Sequence, residues 1–175
     1  MTNGLVVFDT TYGNTEVAAR AVAEVLARSG PVRTLRAADV KPGHLEGIAL
    51  LVVGTPSRAS RPSDAVRGWL AGLTLGQLDG VHVAAFDTRL DDERHRLAAW
   101  WARRVGRAAD AVLRRLEELG GEAASATDGY RLERGTGPLL EGETDRARAW
   151  AAALLMSVAS LAPQPASDSA TDDAL

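Results

Sequence analysis

The chain has 175 residues, 46% hydrophobic and 25% charged, which is enough for one domain of ordinary size with a buried core. It has no cysteine, so disulfides, thiolate catalysis and cysteine-ligated zinc are excluded. The formal charge is −3. With Asp168, Asp172 and Asp173 near the C-terminus set aside, 20 acids balance 20 bases, so bulk charge gives no nucleic-acid signature.

Gly4–Phe8 is a short apolar run that reads as a strand. Asn14–Arg28 places Val17, Ala18, Ala21, Val22 and Val25 at a helical period, and Ser29-Gly30-Pro31 stops it. Val32–Leu35 alternates weakly, as an edge strand does. Ile48–Val53 is continuously apolar, as expected of a central strand covered on both faces. Arg61-Pro62-Ser63 opens a helix to about Gly72, with Pro62 near its start. Val81–Phe86 reads as another buried strand. A helical pattern fills Glu93–Leu119 and ends at Gly120-Gly121. Glu122–Ser125 and Tyr130–Leu132 each read as strand, and Thr136-Gly137-Pro138 as a turn. Glu141–Leu155 is the last helix, with Glu141 and Glu143 in its first turn.

Strands alternating with helices imply an α/β domain: a three-layer, doubly wound sandwich around a five-stranded parallel sheet. The expected domain spans residues 1–160. Residues 161–175, with PQPASDSATDDAL from Pro163, are expected to be a disordered tail. No apolar stretch approaches the roughly 20 residues of a membrane span, and the start lacks the basic and apolar regions of a signal peptide. The expectation is therefore a cytoplasmic protein with no membrane span.

In such sheets the ligand sits beyond the C-terminal strand ends. Three loops leave those ends. The first, Asp9–Thr15, reads DTTYGNT and offers hydroxyls at Thr10, Thr11 and Thr15 and an amide at Asn14. Such donors at a helix N-terminus suit a phosphate. The same residue types also serve as ordinary helix caps. No G-x-x-x-x-G-K-[ST] and no G-x-G-x-x-G follows this strand, which argues against a P-loop or dinucleotide site. The second loop is Thr55–Arg61, and the third begins at Asp87.

The first loop resembles the flavodoxin-like family, whose phosphate motif [ST]-x-x-G-x-T stands here as T-T-Y-G-N-T, Thr10 to Thr15. Its Tyr12-Gly13 is similar to the Y-G of flavodoxin-like quinone reductases. Val53 to Ser57 resembles the family's V-x-G-T-P-T segment, and Gly135 to Trp150 resembles the last strand–helix segment of one branch. The similarity runs over most of residues 4–156. The resemblance implies sheet order 2-1-3-4-5 and non-covalent FMN. It implies Thr10, Thr11, Gly13, Asn14 and Thr15 around the phosphate, with Tyr12 in the same loop. Thr55, Pro56, Ser57 and Arg58 would border the ribityl chain and ring, and Asp87, Thr88 and Arg89 the pyrimidine edge. Arg58 or Arg89 near the ring would stabilise its reduced, anionic form.

The implied function is FMN-dependent electron transfer, or flavin-dependent reduction of a quinone-like substrate. The expected partner is a redox protein or a small quinone-like acceptor, and a homo-oligomer is among the expectations. No side chain is expected to act as a catalytic acid or nucleophile, and no metal site is expected. The chain departs from the pattern in two places. The second loop reads Ser57-Arg58-Ala59-Ser60, without the family's stacking aromatic. The third reads DTRLDDERHRLAAWW, with Asp91 and Asp92 as caps and Trp100-Trp101 on a remade helix. These departures support an alternative: a flavodoxin-like scaffold that has lost FMN and binds a partner. His44, His82 and His95 lack metal-site spacing, and no G-x-S-x-G occurs.

Overall fold

Residues 3–90, 107–133 and 136–161 are described in the computed structural model. β1 (Gly4–Phe8) is buried at every position, and so is β3 (Leu50–Pro56) as far as Thr55. Strands of this kind must be covered on both faces. β1 pairs in parallel with β2 (Val32–Arg36) on one side and β3 on the other, and β3 pairs with β4 (His82–Leu90). β4 carries β5 (Glu122–Ala123) and β6 (Asp128–Leu132), both parallel to it. The order is β2-β1-β3-β4-β5, with β6 also on β4.

The period of two along each strand separates two cores. Val6, Phe8, Val52, Ala84 and Phe86 face α1 (Asn14–Leu26) and α4 (Glu143–Leu161). Leu5, Val7, Leu51, Val53, Val83 and Ala85 face α2 (Asp64–Ala71) and α3 (Ala108–Glu118). Two short 3-10 turns, Ala37–Asp39 and Pro42–His44, lead from β2 towards β3.

The expected doubly wound sheet and its 2-1-3-4-5 order are observed, with four differences in detail. First, the fifth position is shared by two strands. Val83 pairs with Ala123 and Phe86 with Asp128, so the four residues 124–127 bulge opposite only two of β4, Ala84 and Ala85. The carbonyls of Ala124 and Ala126 accept from Ser157 and Trp150 of α4, which satisfies these two groups of the bulge. Second, Thr55, Pro56 and Asp87–Arg89 lie on strands rather than in loops, because β3 and β4 pair as far as Pro56 and Thr88. Third, α2 starts after Pro62: Ser63 is its N-cap, and its Oγ accepts from Val66 N at 3.3 Å. Fourth, α4 begins at Glu143 rather than Glu141 and continues to Leu161.

The helical stretch expected from Glu93 is described only from Ala108 onward. Asp91, Asp92, His95, Trp100 and Trp101 lie outside the described residues, as does the chain from Pro163. His82 is only partly buried, and its Nδ1 stands 3.8 Å from Glu122 Oε2. No described helix is long and apolar enough to cross a membrane.

Candidate functional site at the C-terminal end of the sheet

The chain turns into α1 through Gly13, whose φ of +88° places it in the left-handed region that favours glycine. Gly13 occupies the N-cap position, and no side chain caps the helix. The first-turn amides of Asn14, Thr15 and Glu16 are thus left without an intrahelical acceptor and carry the positive end of the helix dipole. Thr10 Oγ1 accepts from Gly13 N at 2.9 Å, which leaves its own hydroxyl proton to donate elsewhere. Asn14 Nδ2 donates to Gly137 O at 2.7 Å and ties the loop to the turn before α4.

Thr15 of α1 and Thr88 of β4 are buried, and their hydroxyls meet at 2.7 Å. One hydroxyl donates to the other, so the acceptor of the pair keeps a proton for a third group.

These residues line a cavity of about 300 Å³. Its wall comprises Thr10, Thr11, Tyr12, Asn14 and Thr15 from the first loop and helix, Pro56, Ser57, Arg58 and Ala59 from the second, Thr88, Arg89 and Leu90 from β4, and Leu132 from β6. Ten of the thirteen residues expected from the sequence are in this lining. The other three stand behind it. Gly13 shapes the turn. Thr55 is fully buried, its Oγ1 accepting from Ser63 N at 3.0 Å and so joining β3 to the start of α2. Asp87 is also fully buried, and its Oδ2 accepts from Ala109 N at 3.1 Å in the first turn of α3. Its carboxylate is turned towards the start of α3, on the sheet face opposite Thr88.

Burial pushes the Asp87 carboxyl above its usual range, while Arg89 and the Ala109 amide pull in the opposite direction. Arg89 Nε stands 3.3 Å from Asp87 Oδ1. Arg58 begins a tight turn in which it exchanges backbone hydrogen bonds with Arg61. Between them Ala59 and Ser60 both have positive φ, +47° and +62°. Ala59, Leu90 and Leu132 escaped the sequence reading. Leu132 is more than 70 positions from the second loop, and only the β4–β6 pairing brings it to the wall.

The donor set fits a phosphate monoester with an attached aromatic group. The α1 amides and the Thr10, Thr11 and Thr15/Thr88 hydroxyls supply neutral donors, while Pro56, Leu90 and Leu132 supply apolar wall. Among the described residues no cluster of side chains is suited to a metal ion.

The flavodoxin family model matches residues 6–150. No curated protein is similar enough in sequence to match. Among solved structures, flavodoxin 2 from Bacillus cereus superposes with a TM-score of 0.70 at 18% identity, over 89% of this chain and 99% of that one. A flavodoxin from the domain Archaea gives 0.66 at 15%, over 90% and 99%. The flavodoxin, WrbA-like protein from Agrobacterium tumefaciens gives 0.62 at 16%, over 91% and 99%. At these identities the structural likeness speaks for the fold. The family match over most of the chain, the 2-1-3-4-5 sheet and the uncapped helix behind T-T-Y-G-N-T together place the chain in the flavodoxin family, whose members bind FMN.

Proposed function

We propose that this chain holds FMN non-covalently in the cavity between Thr10 and Leu132 and works in the cytoplasm as a flavin-dependent redox protein whose acceptor is a small quinone-like molecule. The observation that carries the reading is the start of α1, where no side chain caps the first-turn amides while Thr10, Thr11 and Thr15 line the adjoining cavity. Bound FMN would supply the electron chemistry. The chain's own residues do the rest. Thr10, Thr11 and the Thr15/Thr88 pair donate to the phosphate, Asn14 holds the loop against Gly137, and Pro56, Leu90 and Leu132 exclude water from the ring.

A small acceptor is favoured over a docked basic carrier by the charge at the cavity. Among the described residues its lining contains Arg58 and Arg89 and no carboxylate, whereas docking to basic partners calls for an acidic surface.

The test is the visible spectrum after incubation with FMN and desalting. The expected result is about one retained flavin per chain, and loss of retention in the Thr10→Asp, Thr15→Asp double variant, since negative charge there repels a phosphate. Circular dichroism checks that the variant keeps its fold. A folded variant that retains FMN as well as the parent would overturn the phosphate assignment.

A further inference from the structure

Asp87 and Arg89 are two apart on β4 and so share a face of the sheet. In the β4–β6 pairing Asp87 lies opposite Gly129, and Arg89 opposite Arg131. The Arg89 side chain folds back along the strand, with Nε 3.3 Å from the buried Asp87 carboxylate. Its guanidinium then covers Gly129. An ideal Cβ at that position would stand 1.6 Å from Nη2, 2.3 Å from Cζ and 2.7 Å from Nε. Only glycine leaves this space free.

The guanidinium is therefore held on two sides, by a counter-charge beneath and a side-chain-free position beside it. Among the described residues its Nη groups have no hydrogen-bond acceptor, and Arg89 lines the cavity. Arg58, also in the lining, has no ion pair among the described residues and rides on the Ala59–Ser60 turn.

On the reading that FMN occupies this cavity, we propose that Arg89, positioned by Asp87 and Gly129, is the fixed cation of the site and binds the reduced, anionic ring more tightly than the oxidised, neutral one. A partly buried cation fixed at the wall acts on whatever charge develops inside, and it does so more strongly than a mobile one in water. Among the described residues the lining offers no carboxylate to offset it. Asp87 has no exposed surface, and its carboxylate lies behind the guanidinium rather than in the wall.

The test measures dissociation constants for oxidised FMN and for chemically reduced FMN under anaerobic conditions. The proteins are the parent, Arg89→Gln, Gly129→Ala and the double variant. Arg89→Gln is expected to lower the preference for reduced FMN by about tenfold, the effect of one partly screened charge. Gly129→Ala is expected to act in the same direction, because the added methyl occupies the place of the guanidinium. In the double variant the loss should not grow further, since both changes remove one interaction. Should Gly129→Ala fail to fold, Arg89→Gln decides alone. Equal weakening of both flavin forms by Arg89→Gln, or additive losses in the double variant, would overturn the proposal. If the parent binds neither form, the FMN reading falls as well. If it binds both and Arg89→Gln leaves their ratio unchanged, only the role of Arg89 falls.

Discussion

Glu143 is 2% exposed, yet its carboxylate is surrounded by donors. It accepts from the Arg131 amide at 3.2 Å, Arg131 Nε at 3.3 Å and Arg146 Nη1 at 2.6 Å. Arg146 also reaches Asp128 Oδ1 at 2.8 Å and lies over the Tyr130 ring. Burial alone would raise the Glu143 pKa. The Arg146 and Arg131 contacts outweigh it and hold the carboxyl below the usual range. The sign follows from that depression. The unfolded chain binds this proton more tightly, so the stability Glu143 contributes is present above the ordinary glutamate pKa and is lost as pH falls through the lower folded value. Glu143→Gln should cost about 1–3 kcal/mol at neutral pH, the range for disturbing a buried, charge-assisted hydrogen-bonded group. Urea unfolding at pH 7 and in acid would check it, with the gap between parent and variant expected to close in acid. Asp87 has the opposite sign. Its raised pKa means that stability falls as pH rises from the unfolded value through the folded one.

At the scale of elements, the second loop stores strain that the sequence does not announce. Arg58 and Arg61 close a two-residue turn in which both central residues have positive φ, the combination a type I′ turn requires. Asn-Gly suits such a turn, whereas Ala59-Ser60 does not. Replacing the pair with Asn-Gly should stabilise the fold by about 2 kcal/mol, since each of the two left-handed non-glycine residues is unfavourable by roughly 1 kcal/mol. A higher denaturant midpoint at unchanged m-value is the expected readout. The two helices that open at this end of the sheet are built differently. α2 is capped by Ser63, while α1 starts at Gly13 with its first-turn amides uncapped. Both starts carry cap-forming residue types in the sequence. Only the backbone course shows that Thr10 turns its hydroxyl oxygen to Gly13 N and not to the helix.

For the molecule as a whole, ligand linkage gives the simplest check. FMN at a hundredfold excess over its Kd should raise unfolding stability by about 2.7 kcal/mol. For a domain of this size that is about 5–10 °C in the melting midpoint. Riboflavin, which lacks the phosphate, should stabilise less; equal stabilisation would place the binding energy elsewhere than the α1 terminus. The sequence by itself determined the α/β architecture, because continuous apolar runs at Gly4–Phe8 and Ile48–Val53 can be covered only in a sheet flanked by helices. It also carried the family's T-T-Y-G-N-T motif, whose hydroxyls and amide are adjacent in the chain and need no distant partner to be recognised. The tertiary structure alone decided which residues face the cavity. Thr55 and Asp87 turn inward because β3 and β4 extend past the apolar runs that mark them. Leu132 and Gly129 join the site through pairing with β4, a contact between residues some forty positions apart. The placement of Arg89 required all of these at once: strand alternation to put it on the face of Asp87, register to set Gly129 beside it, and a missing side chain to give it room. Local sequence carries no record of that space.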